Sequence, residues 1–339
     1  MSRALALKYR PQTFDDVIGQ GITATILKKI CEKRDFKNCY LFAGHSGCGK
    51  TTLARIFAKA INNGVGEPIE IDGASNNGVD NVRAIIDSAN ERSLTGMYKI
   101  YIIDECHAIT TQGWQAFLKG IEEPPAYTIF IFCTTDPDKI PATILNRVQR
   151  YNINPISSED IKGRLLYICQ QEGFTNYENA CDLISKVCNN GMRDAITLLD
   201  QCADYSTDLS LENTQAIIGD VSYETMFNLT VAILNKDEAS VFAILENKAK
   251  SGANLKAFID QYLTFCLDLS KYCLFGSTAV TNIPNYLESR CSGFSKIPNA
   301  VQYSNKIADS LLDLKTLIKY DTSYKTTIEA YFVRLIRGE

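Results

Sequence analysis

The chain has 339 residues, with 35 Lys and Arg against 39 Asp and Glu, for a formal net charge of −4. Hydrophobic residues make up 45% and charged residues 22%, with 20 Gly and 9 Pro. These values exclude disorder for want of core material and exclude collagen-like or low-complexity sequence. The mild acidity argues against coating nucleic acid by bulk charge, while leaving room for a local DNA site of backbone N–H groups and a few Lys or Arg.

At about 150 residues per domain, the length predicts two domains or three small ones. No apolar run is long enough to span a bilayer, and the segment from Met1 to Pro11 lacks the apolar core of a secretory signal. The expectation is a cytoplasmic protein with no membrane partner. The 12 cysteines contain no CxxC pair, and Cys133 and Cys266 sit in apolar runs, where Cys acts as a small hydrophobe. A reduced protein without disulfides is expected. The two histidines, His45 and His107, have no zinc-spaced partners.

Residues 1 to about 155 alternate short strands and helices. Cys39 to Ala43 is an apolar run ending at Gly44, followed by a helical pattern from Thr51 to Asn62. Pro68 to Ile71 reads as a strand and Asp80 to Arg92 as a helix with Val82, Ile85 and Ile86 on one face. Lys99 to Ile103 is a β-branched strand, Gln112 to Ile121 a helix, and Thr128 to Cys133 a strand. Strands alternating with helices predict βαβ units and a parallel sheet. After Pro155 the pattern becomes helical, opening at Ser157 with Asp160 three residues on, a capping-box spacing. Asn189-Asn190-Gly191 and Gly219-Asp220 are plausible breaks. The predicted domains are 1–156, 157–218 and 219–339, the first α/β and the others helical.

Gly44-His45-Ser46-Gly47-Cys48-Gly49-Lys50-Thr51 fits G-x-x-x-x-G-K-[ST], after a strand and at the start of a helix. Glycines let backbone N–H groups approach phosphate oxygens, and the helix N-terminus adds its dipole. Lys50 is expected to neutralise the β- and γ-phosphates of ATP, and Thr51 to offer its hydroxyl to Mg²⁺. Thr52 continues the binding segment. Asp104-Glu105 ends the strand Lys99 to Ile103, over the crevice where open parallel sheets bind ligands. Asp104 is placed to reach the Mg²⁺ shell and Glu105 to polarise an attacking water. Thr134-Thr135-Asp136 ends the next strand and reads either as a γ-phosphate contact or as a plain turn. By themselves Arg147 and Arg193 read as surface charges.

These segments together resemble the AAA+ clamp-loader ATPases, of the gamma/tau type found in bacterial DNA polymerase III. The matching stretches, in family order, are Tyr9-Arg10-Pro11-Gln12-Thr13-Phe14-Asp15-Asp16-Val17-Ile18-Gly19-Gln20, the P-loop, Glu70-Ile71-Asp72-Gly73-Ala74-Ser75, Ile103-Asp104-Glu105-Cys106-His107, Gly120-Ile121-Glu122-Glu123-Pro124-Pro125, Cys133-Thr134-Thr135-Asp136-Pro137 and Gly191-Met192-Arg193-Asp194-Ala195. They cover about the first 200 residues. The resemblance implies that Tyr9, Arg10 and Pro11 pack by the adenine, with Val17 and Ile18 closing the base pocket. It implies that Thr134 and Thr135 are sensor 1, with Thr135 favoured, and that Arg193 is sensor 2. It further implies that Arg147 is the arginine that reaches a neighbouring subunit's ATP.

Three departures stand out. The family's four-cysteine zinc module is replaced by Asn62-Asn63-Gly64-Val65-Gly66-Glu67-Pro68, so no zinc is expected. The Ser-Arg-Cys triplet is Asn146-Arg147-Val148. The chain also stops near the expected end of the third domain, without the tau-type extension, as a compact bacterial or phage-encoded subunit would.

In the family arrangement, the helices starting near Val79 and after Thr110 open toward a central channel. Ser75, Asn76, Asn77 and Gly78 before the first, and Thr110 and Thr111 opening the second, are candidate DNA-phosphate contacts through free helix N–H groups. The same residues serve equally as N-caps. Leu94 and Met97 fall in the family's clamp-touching segment. Gln115 and Lys119, at i and i+4, are expected near the subunit interface. The implied function is ATP-driven opening of a sliding clamp and its loading at primed DNA. The implied partners are the clamp, primed DNA and other loader subunits, either copies of this chain or delta- and delta-prime-like chains, in a pentamer-type assembly. A DNA-remodelling AAA+ motor or helicase loader, and a non-hydrolysing structural subunit, are the competing readings.

Overall fold

The computed structural model describes residues 4–93, 96–188, 190–218, 223–250, 254–321 and 323–337. Leu94, Asn189, Gly219 and Asp220 therefore lie outside the described residues. In chain order the first elements are α1 (Leu5–Lys8), α2 (Gly21–Lys33), β1 (Cys39–Gly44), α3 (Lys50–Ile61), β2 (Ile69–Asp72) and α4 (Val79–Ala89). They continue with β3 (Lys99–Asp104), α5 (Thr111–Glu122), β4 (Thr128–Thr134), α6 (Ala142–Leu145) and β5 (Gln149–Ile153). The helices that follow are α7 (Ser158–Glu172), α8 (Glu178–Val187), α9 (Met192–Tyr205), α10 (Leu211–Ile218), α11 (Tyr223–Leu234), α12 (Glu238–Lys250), α13 (Leu255–Phe275), α14 (Glu288–Ser295), α15 (Ala300–Ile318) and α16 (Tyr324–Arg337). Two compact units result, Met1–Ile168 with Cys188–Asp200, and Cys169–Val187 with Gln201–Glu339.

The first unit is built on a five-stranded sheet in the order β2-β3-β4-β1-β5 with every pairing parallel. The period-2 alternation of a strand sends successive side chains to opposite faces, and both faces here are apolar. Tyr40, Phe42, Ile100, Ile102, Ile129 and Ile131 join Leu27 of α2 and Leu53 and Phe57 of α3 in one core layer. Leu41, Tyr101, Ile103, Phe130 and Phe132 join Val82 of α4 and Trp114 and Phe117 of α5 in the other. A sheet covered on both faces explains why its central strands read as continuous apolar runs. β5 escapes the sequence reading because its run Gln-Arg-Tyr-Asn-Ile turns only Tyr151 and Ile153 inward, as an edge strand does. Ser157 caps α7 as expected, its Oγ accepting from the N–H of Asp160 at 3.0 Å.

The second unit is helical. Its longest helix, α13, starts at Asn254, whose side-chain oxygen accepts from the N–H groups of Lys256 and Ala257 at 3.0 and 3.3 Å, and it stops at Gly276 with φ +69°. Its buried stripe of Phe258, Tyr262, Phe265 and Leu269 meets Phe227 of α11, Leu311 of α15 and Phe332 of α16. The buried Tyr262 hydroxyl is matched by Thr230 Oγ1 at 3.1 Å. Among the described residues, no single helix is long and apolar enough to cross a membrane.

Candidate functional site

The strand order sets β4 between β1 and β3, so the loops after these three strands open at one edge of the sheet. The register pairs Ala43 with Thr134, and Asp72 with Asp104 on the other side of β3. The Gly-rich loop after β1, the acidic pair after β3 and the threonine pair ending β4 are thereby neighbours at the C-terminal edge, where parallel sheets bind ligands.

Within the loop, Gly47 and Gly49 take φ of +72° and +99°, the left-handed region that L side chains rarely adopt. A Cβ on Gly47 would also stand 2.9 Å from the Cα of Gly191. Lys50 is 5% exposed and donates from Nζ to the carbonyls of Gly44 and His45 at 3.0 and 2.9 Å, curling its ammonium over the loop. Buried Cys48 stands one residue before the helix cap, and burial pushes its thiol above the ordinary range.

Thr51 Oγ1 donates to Asp104 Oδ2 at 2.7 Å, so the first turn of α3 and the end of β3 place two oxygens side by side. A hydroxyl beside a carboxylate is a hard-oxygen donor set, which fits Mg²⁺ bound through few protein ligands. Glu105 adopts φ 45°, ψ 42°, a left-handed backbone for a non-glycine residue, which costs about 1–2 kcal/mol. Its carboxylate oxygen Oε2 accepts from Thr135 Oγ1 at 3.1 Å and lies 3.3 Å from His107 Nδ1. His107 Nδ1 is also 3.2 Å from Thr134 Oγ1, which accepts from the N–H of Asp136 at 3.0 Å. Thr134 is fully buried and Thr135 faces Glu105, so the two threonines ending β4 have different surroundings. The sequence reading gave no role to His107; its place at the end of the matched stretch Ile103 to His107, two residues after Glu105, is the available signal.

Arg10 donates from Nε to Thr52 Oγ1 at 3.1 Å, bringing the N-terminal segment to the P-loop helix. Burial, with Arg55 and Arg193 nearby, lowers its guanidinium from the ordinary value. The Tyr9 carbonyl accepts from Arg164 Nη2 at 2.9 Å, and its ring meets Tyr167 edge-on at 6.3 Å. Pro11 and Ile18 are half-buried, and Val17 packs on the core layer containing Cys48 and Leu53. Arg193 is exposed in the first turn of α9, and the N–H of Met192 beside it donates to the Gly47 carbonyl at 3.1 Å. Arg147 does not lie in this constellation. It donates from Nη1 to the Thr143 carbonyl and pairs through Nη2 with Glu122 Oε1, both at 2.7 Å.

A second cluster joins two helix N-termini. The Asp72 carboxylate accepts from Ser75 Oγ at 2.6 Å and from the N–H of Ala74 at 3.0 Å, and its carbonyl accepts from Asn76 Nδ2. The Ser75 hydroxyl holds the Asp72 carboxyl below the usual carboxylate range. The Asn77 carbonyl accepts from both the N–H and the hydroxyl of Thr110, each at 3.1 Å, and Thr110 Oγ1 caps α5 by accepting from Gly113. The segment Ser75, Asn76, Asn77 and Gly78 is thus tied through Asn77 to Thr110, the residue before Thr111. A groove of about 860 Å³ runs between α4 and α5, lined by Arg83, Gln112, Gln115 and Lys119 among others. Met97 is 68% exposed, its sulfur 3.5 Å from Arg34 Nη2.

The parallel sheet, its Gly-rich loop and the Thr51–Asp104 contact define a P-loop ATPase fold of the AAA+ class. Residues 160–208 match the family model described as the DNA polymerase III clamp loader subunit, ATPase lid domain, and residues 67–157 match the model described as DNA polymerase III, delta subunit. The chain is 32% identical over 283 residues to the DNA polymerase III subunit gamma of Buchnera aphidicola, covering 77% of this chain and 78% of that one. It is 37% identical over 293 residues to the DNA polymerase III subunit tau of Bacillus subtilis, covering 80% of this chain and 52% of that one. The chain belongs to the DNA polymerase III gamma/tau family. It spans about half the length of the Bacillus relative. The Thermotoga maritima RuvB Holliday junction branch migration motor superposes with a TM-score of 0.53 over 73% of this chain and 86% of that one at 18% identity, a likeness of fold.

Proposed function

We propose that this protein is an ATP-hydrolysing clamp-loader subunit that opens a sliding clamp and places it at primer-template junctions. The observation that carries the reading is the joint geometry of Thr51, Asp104, Glu105 and Thr135, two hydrogen bonds of 2.7 and 3.1 Å linking the ends of β3 and β4 and the P-loop helix. The P-loop N–H groups and Lys50 bind the triphosphate of ATP, and Arg10, Pro11, Val17 and Ile18 enclose the base side with Tyr9. Thr51 and Asp104 hold Mg²⁺, which when bound neutralises phosphate charge. Glu105 takes the proton of the attacking water and Thr135 orients its carboxylate. Arg193 contacts the γ-phosphate, and Arg147 is supplied to the site of an adjoining subunit. An arginine in that role is worth about 10³–10⁵ in rate.

DNA passes over the N-termini of α4 and α5, where Ser75, Asn76, Asn77, Gly78, Thr110 and Thr111 offer sequence-independent phosphate contacts. The partners are a clamp, primed DNA and further loader subunits, and the working division is an ATPase domain, a helical lid over residues 157–218 and a helical oligomerisation collar. The site takes ATP and Mg²⁺ and no zinc. The reading of no zinc rests on the sequence, in which residues 62–68 carry neither Cys nor His. The deciding experiment is ATPase turnover with and without a cognate clamp and primed DNA. Stimulation by both together supports clamp loading, whereas steady turnover on DNA indifferent to the clamp overturns it.

A further inference from the structure

We infer that His107 is a positioning residue for hydrolysis, its ring, bonded at Nδ1 to Thr134, standing against the carboxylate of Glu105 and limiting where that carboxylate can turn. The inference rests on the proposed role of Glu105 as the base and adds a residue that role does not include.

Glu105 Oε2 lies 3.3 Å from His107 Nδ1 and 3.1 Å from the Thr135 hydroxyl. The same nitrogen lies 3.2 Å from Thr134 Oγ1. His107 thus bridges the acid after β3 to the last residue of β4, and Thr135 makes the second tie from the same strand end. The Thr135 hydroxyl donates to Oε2, and Oε1 has no hydrogen bond among the described residues, as the atom available to a water. The Glu105 side chain is 41% exposed and would otherwise sample several rotamers. His107, at 21%, is more enclosed and supplies the stiffer side of the contact. It reaches Glu105 because the left-handed backbone at Glu105 turns the chain sharply into the helical turn Cys106–Ala108.

The contact uses Nδ1, and that makes the inference specific. The side-chain amide nitrogen of Asn is the same number of bonds from Cα as His Nδ1, whereas that of Gln matches Nε2. His107→Asn should therefore keep a nitrogen at the place that meets Thr134 and stands beside Glu105, and His107→Gln and His107→Ala should lose it. The test is kcat and KM for ATP, measured on the full chain in its assembled state with clamp and DNA, with thermal melts of every variant. His107→Ala and His107→Gln are expected to lower kcat about 10-fold or more, since misplacing a reacting group by about 1 Å can cost about 10²-fold. KM should stay within about twofold, because ground-state binding is untouched. His107→Asn should lie near wild type. In a Glu105→Gln background, His107→Ala should remove little further activity, because the two act as one unit.

Wild-type kcat in His107→Ala overturns the inference. So does equal activity of the Asn and Gln variants, or a kcat that tracks only melting temperature, since packing alone would give either result. If His107→Ala fails to fold, the Asn and Gln pair decides the question. Inactive Glu105→Gln with active His107→Ala sinks the histidine alone. Wild-type turnover in Glu105→Gln sinks the base assignment and the histidine with it.

Discussion

The main-chain N–H of Met192 donates to the carbonyl of Gly47 at 3.1 Å, so the start of α9 is bonded directly to the middle of the phosphate loop. Gly191 lies so close that a Cβ on Gly47 would reach its Cα at 2.9 Å. A shift of either segment is transmitted to the other through backbone alone. Gly47→Ala combines this clash with a left-handed φ that costs about 1–2 kcal/mol for an L side chain. Gly49→Ala meets the same kind of strain but open space. Denaturant unfolding should therefore rank Gly47→Ala as less stable than Gly49→Ala. ATP affinity should fall in both.

The P-loop and strand-end residues separate binding from turnover. Lys50→Ala should abolish ATP binding, because the triphosphate charge then has no buried cation over the loop. Thr51→Ser keeps the hydroxyl that meets Asp104 and should retain activity, while Thr51→Ala should raise the Mg²⁺ concentration needed for half-maximal turnover. Glu105→Gln should bind ATP and stop, since an amide cannot take a proton from water. A Mg²⁺ titration of ATP hydrolysis, with equilibrium binding of ATP, checks all four.

The helix-start cluster predicts a coupled loss. Thr110 both caps α5 and ties Asn77, so Thr110→Val should cost about 1 kcal/mol of stability, the usual value of an N-cap. It should also free the 75–78 segment and weaken DNA binding equally for unrelated sequences, as expected for phosphate contacts. Affinity measured on two duplexes of different sequence checks this. A loss confined to one of them would mean base readout at these residues.

The cysteines give a prediction about accessibility. Of the twelve, only Cys31 and Cys273 are not buried. Burial pushes the Cys31 thiol up to about 11 and raises that of Cys273 as well. At pH 7 both are protonated, and the thiolate is the reacting species. Labelling with a maleimide should be slow, should quicken as pH rises, and should reach these two sites first. Fast labelling of Cys48 would mean that the P-loop opens.

What was legible in the sequence follows from what had a local cause. The P-loop and Asp104-Glu105 were readable because each is a short run whose chemistry depends on its own spacing. The strands β1, β3 and β4 were readable because burial on both faces makes them continuous apolar runs. β5 was not, because an edge strand presents half its residues to water. The link from Thr135 to Glu105 was not foreseen, the threonine pair reading only as a γ-phosphate contact or a plain turn, because it joins residues 30 apart and depends on strand order. The left-handed backbone at Glu105 left no mark at all, since no glycine announces it. The Glu122–Arg147 pair was likewise invisible, although both residues stood inside or beside recognised motifs.

That pair shapes the test of Arg147. Its two side chains are 40% and 41% exposed, and a surface ion pair of this kind is worth about 0–1 kcal/mol. Arg147→Ala should therefore stay folded, with unfolding shifted by no more than that amount. If Arg147 acts on an adjoining subunit's ATP, the variant should bind ATP normally yet lose most hydrolysis in the assembled oligomer, by about 10³-fold or more. If it only pairs with Glu122, the rate should hardly move. Glu122→Gln removes the pair and keeps the arginine, and it should leave hydrolysis within about tenfold, since a surface pair is worth at most about 1 kcal/mol. Mixing supplies the decisive measurement. Arg147→Ala chains combined with Lys50→Ala chains should recover part of the activity, because some interfaces then join an intact P-loop to an intact arginine. Each variant alone offers no such interface. Recovery in the mixture with neither parent active supports action across the interface, and wild-type hydrolysis by Arg147→Ala alone, with clamp and DNA present, refutes it.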